Sequence, residues 1–281
     1  MNSKRIKSFK SRMIKELPKT PNSKATIAEL EAQSIASILF YFVNWVNRMI
    51  PCRPRTIRVV KESLLDVRWQ KKRNQIDSFL SDVDRGKDLS PYLSTKVNLR
   101  GYVPSALIGE GVYDKWEDKD FVLSTTGFHH FHLDKYEPSK PRSDEMIFAR
   151  VTRNNFYVLG VFNHSVFSSV NTGTLEFERK RLLRLHDQFS RIEVDGEQLV
   201  ETNLMTISGH PLTIHQYVQA YITVLDQVDH KLDEREFFNN LYTSNNLPVP
   251  KKNKLKWVLV GLDLGVVDNN DNFFNFYQGH L

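Results

Sequence analysis

The strongest apolar run in the chain covers residues 35–46 (IASILFYFVNWV). From there to Ile50, apolar side chains recur at three- and four-residue spacing, which places them on one stripe of a helix predicted over residues 26–49. Twelve residues are too few to span a bilayer, which takes about 20, so the stripe predicts a helix that packs against a protein core. We expect the helix to end before Pro51 and Pro54, because proline has no backbone N–H to donate.

A second helical pattern covers residues 66–85, where one face is apolar. The apolar positions of this face are Ile76, Phe79, Leu80 and Val83. Gly86 follows in the position of a left-handed C-terminal cap. Over residues 89–120 the apolar spacing is irregular and prolines and glycines recur, so we expect loops with one short helix at most.

After residue 120 the pattern changes to short β-prone runs that are separated by turn-forming residues. These runs cover residues 121–123, 127–133, 146–152 and 156–162. The turn at residues 152–155 contains two asparagines, which tolerate a positive φ and favour a hairpin. The region therefore predicts an antiparallel β-meander.

The C-terminal part of the chain returns to mainly helical spacing. The predicted elements are helices over 172–189, 214–230 and 233–242, a hairpin over 192–197, and a strand or pair of strands over 256–267. Thr213 is the expected N-cap of the second of these helices, and Asp195 with Gly196 supplies the turn of the hairpin.

Together these patterns predict an α+β fold, with a central antiparallel β-sheet flanked by N-terminal and C-terminal helices. Changes in charge and in element type divide the chain into four regions. They are a basic flexible arm (1–24), a helical N-terminal region (25–120), a sheet core with the candidate site (121–200), and C-terminal helices with a final strand (201–281).

The composition is typical of a globular protein, since 40% of the 281 residues are hydrophobic and 26% are charged. These fractions argue against a mostly disordered chain and against a multi-span membrane protein. Cys52 is the only cysteine, which excludes an intrachain disulfide and favours a reducing compartment. The basic N-terminal region lacks the apolar run of a secretory signal, so we expect a cytoplasmic protein with no membrane partner.

The positive charge is concentrated at the N-terminus. Residues 1–24 contain eight lysines and arginines against Glu16 alone, a net charge of +7, while the whole chain carries +6. A basic arm of this kind predicts a contact with RNA phosphates or with an acidic partner. A solvated, frayed terminus is the alternative.

Motifs for several common chemistries are absent from the sequence. There is no G-x-G-x-x-G, G-x-x-x-x-G-K-[ST], H-E-x-x-H or G-x-S-x-G, so dinucleotide binding, P-loop hydrolysis, zincin chemistry and the α/β-hydrolase elbow lose their main support. Residues 268–272 (DNNDN) are similar to the start of a calcium loop. Phe273 stands where such a loop needs glycine, and no acidic residue closes it. These motifs therefore indicate no cofactor.

Four of the nine histidines lie within 36 residues of the predicted meander. They are His129, His130, His132 and His164. Alternate residues of a strand share a face, so His130 and His132 are expected to project together. His164 follows the last predicted strand of the meander, from where its side chain can meet groups on the neighbouring strands.

Two chemistries suit these histidines, and a structural role is the alternative. Metal-independent RNA cleavage needs a base, an acid and a cation, and histidine serves as either base or acid near neutral pH. Arg142, Arg150 and Arg153 are the candidate cations for the phosphate.

The second chemistry is a metal site with an open coordination position for an activated water. Its ligands would be His130, His132 and His164. In the structural alternative, at least two of the four histidines are ordinary half-buried residues that form hydrogen bonds.

A short histidine-bearing strand (HFHL, 130–133), an apolar strand (MIFARV, 146–151), a hairpin and a closing His-Ser-Val-Phe (164–167) succeed one another. Over residues 127–167 this order resembles the catalytic core of RelE/YafQ-type ribonuclease toxins. The resemblance implies that His132 and His164 are the acid/base pair. It also implies that Ser165 and Phe167 contact the substrate, with Phe167 stacking on a base or packing.

Toxins of this type carry an arginine just before the last histidine, whereas residues 160–163 of this chain are GVFN. The phosphate-stabilising role would then pass to Arg150 or Arg142. The longer layout of the chain is also similar to that of bacterial proteins from toxin and phage-defence settings.

The sequence thus predicts a toxin-like, metal-independent endoribonuclease with His132, His164, His130 and Arg150 as catalytic residues. Arg142, Arg153, Ser165 and Phe167 are the predicted substrate-binding residues. The expected partners are RNA and an antitoxin or another defence protein, and no cofactor is expected. A noncatalytic nucleic-acid or protein interaction module and a His-ligated, metal-dependent hydrolase are the alternatives.

Overall fold

The structure is a computed structural model that describes residues 3–114, 116–168, 177–189 and 204–281. The chain divides into two compact units. The terminal unit comprises residues 1–47, 99–118 and 213–280, and the central unit comprises residues 48–98, 119–212 and Leu281.

The described residues form helices and two separate sheets, which confirms the predicted α+β class. The helices are α1 (Lys4–Glu16), α2 (Lys24–Ala32), α3 (Ile35–Val46), α4 (Lys61–Leu64), α5 (Val67–Lys71), α6 (Arg73–Asp84), α7 (Thr95–Leu99), α8 (Ser105–Gly109), α9 (Phe121–Thr126), α10 (Phe177–Phe189), α11 (Leu212–Val228) and α12 (Arg235–Thr243). The strands are β1 (Thr56–Val59), β2 (His129–His132), β3 (Met146–Val151), β4 (Asn155–Phe162), β5 (Lys256–Val260), β6 (Asp263–Val267) and β7 (Phe273–Tyr277). Short 3₁₀ turns occupy Ser90–Tyr92, His164–Phe167 and Lys231–Asp233.

The central unit contains a four-stranded sheet in the order β1-β4-β3-β2. Strands β2, β3 and β4 form the predicted antiparallel meander, and the backbone N–H of Thr152 donates to the carbonyl of Asn155 to close the hairpin. β1, a strand that the sequence does not predict, pairs with β4 in parallel, so the central sheet is mixed rather than antiparallel throughout. Parallel pairing requires a long crossover, and here the paired residues Thr56 and Asn155 lie far apart in the sequence.

Aromatic and aliphatic side chains cover both faces of this sheet. On one face, Phe79 of α6 contacts Phe131 and Phe156, with ring centroids 5.2 and 5.8 Å away. On the other face, Phe148 belongs to a buried cluster that includes Leu182 of α10. The candidate histidines therefore lie on a sheet that is packed on both faces.

Residues 121–126 form the helix α9 where the sequence pattern predicts a strand. The carboxylate of Asp120 caps this helix by accepting a hydrogen bond from the backbone N–H of Leu123 (3.0 Å). Gly127 ends the helix with a φ of 71°, in the left-handed region. Two capping signals thus outweigh the β propensity of three apolar residues.

The helix predicted over residues 26–49 is two helices, α2 and α3. Gln33 between them has an extended backbone, and the side chain of Ser34 accepts a hydrogen bond from the backbone N–H of Ser37. An N-cap inside the apolar pattern starts a new helix in a new direction. Within residues 89–120, α7, α8 and the turn Ser90–Tyr92 give more helix than the sequence predicts.

Residues 4–16 form the helix α1 rather than the flexible arm that the charge pattern predicts. Its apolar positions are buried: they are Ile6, Phe9, Met13 and Ile14. Arg5 donates to the carboxylates of Asp229 (3.0 Å) and Asp233 (2.8 Å). Burial of this stripe and pairing of Arg5 tie the helix to the terminal unit.

The terminal unit also contains the antiparallel sheet β5-β6-β7. Strands β5 and β6 confirm the predicted strand pair at 256–267, and β7 adds a strand that the sequence does not predict. The buried indole of Trp257 on β5 donates to Asp229 (2.7 Å), and the hydroxyl of Tyr221 on α11 donates to the carbonyl of Leu262 (2.6 Å).

The remaining helix predictions hold in part. Helices α11 and α12 confirm the helices predicted at 214–230 and 233–242, but α11 begins at Leu212, so Thr213 is inside it and is not its N-cap. The structure describes the helix at 172–189 only from Phe177 onward, and the hairpin predicted at 192–197 lies outside the described residues. Within the described part of the chain, no helix is long and apolar enough to cross a bilayer.

Candidate functional site

Strand β2 presents its four residues alternately to the two faces of the central sheet. His129 and Phe131 are buried on one face, and His130 and His132 are half-buried on the other. His130 lies opposite Phe148 of β3, and His132 lies opposite Met146. His130 and His132 therefore project together from the face that carries α10, as the period of a strand predicts.

His164 joins these residues from the segment that follows β4. It opens the 3₁₀ turn His164–Phe167, and the side chain of Asn163 caps this turn by accepting from the backbone N–H of Ser165 (3.1 Å). The ring centroid of His164 lies 5.5 Å from that of His132. The structure thus brings together two imidazoles from separate β-segments. We refer to His130, His132 and His164 as the histidine cluster.

Asp144 orients the exposed ring of His164. The Nδ1 of His164 lies 2.6 Å from the Oδ1 of Asp144, and the backbone N–H of His164 donates to the same oxygen (3.3 Å). An ionised carboxylate accepts only, so Nδ1 carries a proton and donates it. Nε2 is then the atom of His164 that faces any reaction.

Asp144 lies in the loop between β2 and β3, and hydrogen bonds to Asp134 hold this loop. The carboxylate of Asp134 accepts hydrogen bonds from the backbone N–H of Ser143 (3.0 Å) and from the side chain of Gln75 (2.9 Å). Asp134 is two residues after the end of β2, and Ser143 is three residues before β3, so the two ends of this loop are held together. Asp144 is therefore positioned by both ends of its loop.

His132 is the buried member of the pair. Burial lowers its pKa to about 4, and the positive charges of Arg142, His130 and His164 act in the same direction. Its Nδ1 is shielded from solvent and has no hydrogen-bond partner among the described residues. At neutral pH the imidazole of His132 is neutral and has the lone pair that a base needs.

His130 has an acidic neighbour and an aromatic surrounding. Its Nδ1 lies 3.3 Å from the Oδ2 of Asp120, the residue that caps α9. Its ring centroid lies 5.0 Å from that of Phe167 and 5.7 Å from that of Phe148. Phe167 remains 37% exposed, so it presents an aromatic surface beside the histidine cluster.

The guanidinium of Arg142 is hydrogen-bonded to the backbone, and its positive charge affects the histidine cluster. The guanidinium donates to the backbone carbonyls of Leu93 (2.8 Å) and Pro91 (2.7 Å). Burial lowers the pKa of Arg142. The predicted phosphate cation is thus anchored to the backbone, at a distance from which its field lowers the pKa of His132.

Arg150 and Arg153 lie toward the hairpin end of β3, beyond the positions that pair with His130 and His132. Arg150 is four positions along β3 from Met146, the partner of His132, which corresponds to about 13 Å, and two positions from Phe148, the partner of His130, which corresponds to about 7 Å. It is 8% exposed, and its guanidinium lies 6.0 Å from the ring centroid of Phe189. Arg153 is in the hairpin after Arg150, farther along the same sheet. Along the sheet, Arg150 is thus nearer to His130 than to His132.

Ser165 supports the turn on which His164 stands. Its hydroxyl donates to the Oδ1 of Asn163 (2.7 Å). The hydroxyl is therefore engaged inside the 3₁₀ turn, where it fixes the backbone between His164 and Phe167.

The metal alternative requires three convergent ligands. In the described ranges, no group of three or more His, Cys, Asp or Glu side chains is arranged to hold a metal ion. His130, His132 and His164 are neighbours, but they do not form such a group.

Sequence reasoning missed Asp144 and Asp120. A signal for Asp144 exists in the strand register: Met146 lies opposite Phe162, so the residues two positions beyond each, Asp144 and His164, must also be neighbours. Register is set by pairing, so the signal becomes available only once β3 and β4 are aligned.

Comparison of the chain with protein-family models, with curated proteins and with solved structures gave no match. The resemblance to RelE/YafQ-type toxins therefore stays a prediction from residues 127–167. A function has to be argued from the site itself.

Proposed function

We propose that the protein is a toxin-like, metal-independent endoribonuclease in which His132 and His164 are the acid/base pair. The observation that carries this proposal is their separation of 5.5 Å between ring centroids. One ring is neutral because it is buried, and the other is exposed and held by a carboxylate. Two histidines in different environments suit two different proton-transfer roles.

The proposed reaction uses the 2′-hydroxyl of RNA as the nucleophile. His132 accepts the hydroxyl proton while the 2′-oxygen forms a bond to phosphorus. His164 gives the proton on its Nε2 to the 5′-oxygen as the bond from phosphorus to that oxygen breaks. The products are a 2′,3′-cyclic phosphate and a free 5′-hydroxyl. Asp144 holds the ring of His164 with Nδ1 toward the carboxylate.

Binding of the substrate would make His132 a stronger base. In the free protein the pKa of His132 is about 4, which is low for a base at neutral pH. A bound phosphodiester brings a negative charge next to the ring and raises this pKa. Arg142 contributes a fixed positive charge near the phosphate, and the exposed ring of Phe167 offers a stacking surface for a base.

The proposal includes a cytosolic setting and a partner that restrains the enzyme. Cys52 is free and exposed, which suits a reducing compartment. A toxin-antitoxin or phage-defence system would supply an antitoxin or another defence protein as that partner. RNA is the proposed substrate.

A noncatalytic RNA- or protein-binding module is the second candidate. The packing of His130 against Phe148 and Phe167 favours it, because this ring fills a place in an aromatic cluster. In such a module the cluster would be structural, and the cleavage assay below would find no histidine-dependent activity.

The test is RNA cleavage by the purified protein in excess EDTA. A 5′-labelled RNA is incubated with the parent, with His132→Ala, with His164→Ala and with the control His230→Ala, which alters an exposed histidine of the terminal unit. We expect cleavage to cyclic-phosphate ends by the parent and the control, and at least a hundredfold loss in the two cluster variants. Equal cleavage in all four proteins, or cleavage that EDTA abolishes, would overturn the proposal.

A further inference from the structure

The loop between α12 and β5 is a second basic segment of the terminal unit, besides residues 1–24. Residues 248–256 (PVPKKNKLK) contain four lysines and no acidic residue. Three of these lysines line a cavity of about 320 Å³. The lining includes Lys251, Lys252 and Lys254, together with Asp268, Asn269 and Asn270.

The backbone of this loop is fixed although its lysines are exposed. The side chain of Asn253 donates to the carbonyl of Leu232 (2.5 Å) and accepts from the backbone N–H of Leu255 (3.2 Å). The side chains of Lys252 and Lys254 therefore extend from a backbone that Asn253, the residue between them, holds in place. Within the part of the chain that the structure describes, no acidic side chain pairs with the three lysines that line the cavity.

Asp268, the acidic residue that lines the cavity, already accepts hydrogen bonds from donors within the protein. Asp268 is 8% exposed and accepts from the backbone N–H groups of Asn270 (2.8 Å) and Asn272 (3.0 Å). It also accepts from the hydroxyl of Tyr242 (3.1 Å) and the side-chain amide of Asn272 (3.0 Å). Burial raises the pKa of Asp268, but these donors outweigh it and lower the pKa, so the carboxylate keeps its single negative charge. The three lysines at the cavity exceed that charge.

We propose that this cavity, which we call the lysine cavity, binds phosphate groups of the RNA backbone. Naming RNA rests on the proposed ribonuclease function. Lysine ammonium groups recognise phosphate as point charges, and clustering three of them on a fixed loop concentrates that field. Asn269 and Asn270 at the rim add amide groups for the sugar or phosphate oxygens. The site would hold RNA independently of the histidine cluster.

The experiment measures RNA binding without cleavage. All proteins carry His164→Ala, and a fluorescein-labelled single-stranded RNA is titrated by anisotropy at several salt concentrations. The test variant is Lys251→Gln/Lys252→Gln/Lys254→Gln. The charge-matched control is Lys61→Gln/Lys71→Gln/Lys180→Gln, which removes three exposed lysines of the central unit. Circular dichroism checks that each protein is folded.

We expect the test variant to bind RNA about tenfold more weakly at low salt, and its salt dependence to fall by about 0.7 per lost phosphate contact. The control is expected to change affinity less than threefold. An unchanged affinity in the test variant, or an equal loss in the control, would overturn the lysine cavity as an RNA site.

A second titration separates RNA from free phosphate. Inorganic phosphate is added to the parent and to the test variant while the melting temperature is followed. A phosphate-dependent rise in the parent alone, without a difference in RNA binding, would assign the cavity to a free anion and overturn the RNA assignment. If the test variant loses RNA binding and the parent protein shows no cleavage activity, the lysine cavity is an RNA-binding site and the proposed ribonuclease function is refuted.

Discussion

The rings of His132 and His164 lie 5.5 Å apart, although 32 positions separate the two residues in the chain. His132 ends β2 and His164 follows β4. Because β3 lies between these two strands, His164 reaches the cluster only through the turn that Asn163 and Ser165 hold in place. The geometry of the proposed acid/base pair therefore depends on a short polar turn.

Asp144→Asn tests the orientation of His164. The amide retains the shape of the side chain but removes its charge and lets it donate, so the tautomer of His164 is no longer fixed. We expect kcat to fall by about 10- to 100-fold with little change in stability. Initial rates of RNA cleavage measure the effect. The control is Asp187→Asn, which alters an exposed carboxylate 3.9 Å from His186, and a similar loss there would contradict the assigned role.

Phe167→Ala tests the stacking surface. Loss of an exposed ring next to the cluster should raise KM about tenfold and leave kcat within a factor of three, because stacking on a base contributes about 1 to 3 kcal/mol. Steady-state cleavage kinetics separate the two constants. Phe273→Ala is the matched control, since Phe273 is exposed to the same 37% and lies on β7. A fall in kcat alone would instead place Phe167 among residues that position His164.

The burial of His132 predicts how stability changes with pH. Its pKa is about 4 in the folded protein and 6.5 in the unfolded chain, so the unfolded chain binds more protons between these pH values. The free energy of unfolding should therefore fall as the pH drops through that window. The fall attributable to His132 is about 2 kcal/mol after reduction for its partial exposure.

Urea unfolding of the parent and of His132→Gln between pH 7 and pH 4 measures this contribution. The variant has no titrating group at this position, so its stability should decline less steeply. Parallel curves for the two proteins would show that the pKa of His132 is not lowered.

Arg5→Gln tests whether α1 is held by its ion pairs. Removal of the guanidinium takes away the cation that pairs with Asp229 and Asp233. The side chain of Asp229 is 10% exposed and keeps the hydrogen bond from the Trp257 indole. We expect a loss of about 2 to 3 kcal/mol in the free energy of unfolding. The exposed Lys7, changed to Gln, provides the control and should alter stability by less than about 0.5 kcal/mol. If α1 were instead a free, frayed arm, Arg5→Gln and Lys7→Gln would both change the free energy of unfolding by this small amount.

Gly127→Ala tests the junction between α9 and β2. Its φ of 71° lies in the left-handed region, which costs an alanine about 1 kcal/mol. In contrast, Gly109→Ala in α8 meets nothing within 4 Å and should be neutral or slightly stabilising. Thermal unfolding of both variants measures the difference. Because Gly127 leads into the histidine strand, cleavage activity is also expected to fall in Gly127→Ala.

Much of the central unit follows from local patterns. The β-prone runs at 146–152 and 156–162, joined by an asparagine turn, become β3 and β4. The alternation of a strand is enough to place His130 and His132 on one face. These features depend on neighbours within a few residues, which is why the sequence predicts them.

Features that depend on distant partners were not predicted. β1 is recognised as a strand only through its parallel pairing with β4, about a hundred residues later. The lysines and arginines of residues 1–24 predict a free arm. In the structure, however, Arg5 pairs with Asp229 and Asp233, which lie more than 200 residues later. The same holds for Arg150, whose position in sequence suggests the site while the register moves it along the sheet.

The sequence by itself determined the α+β class, the histidine-bearing meander and the face from which His130 and His132 project. These follow from periodicity, capping and turn chemistry, which act over short stretches of chain. Only the tertiary structure decided that His164 meets His132, that Asp144 orients it and that Arg150 lies four positions along β3 from the partner of His132. Strand register and the burial of individual side chains set those distances, and both arise from pairing between segments that are remote in the sequence.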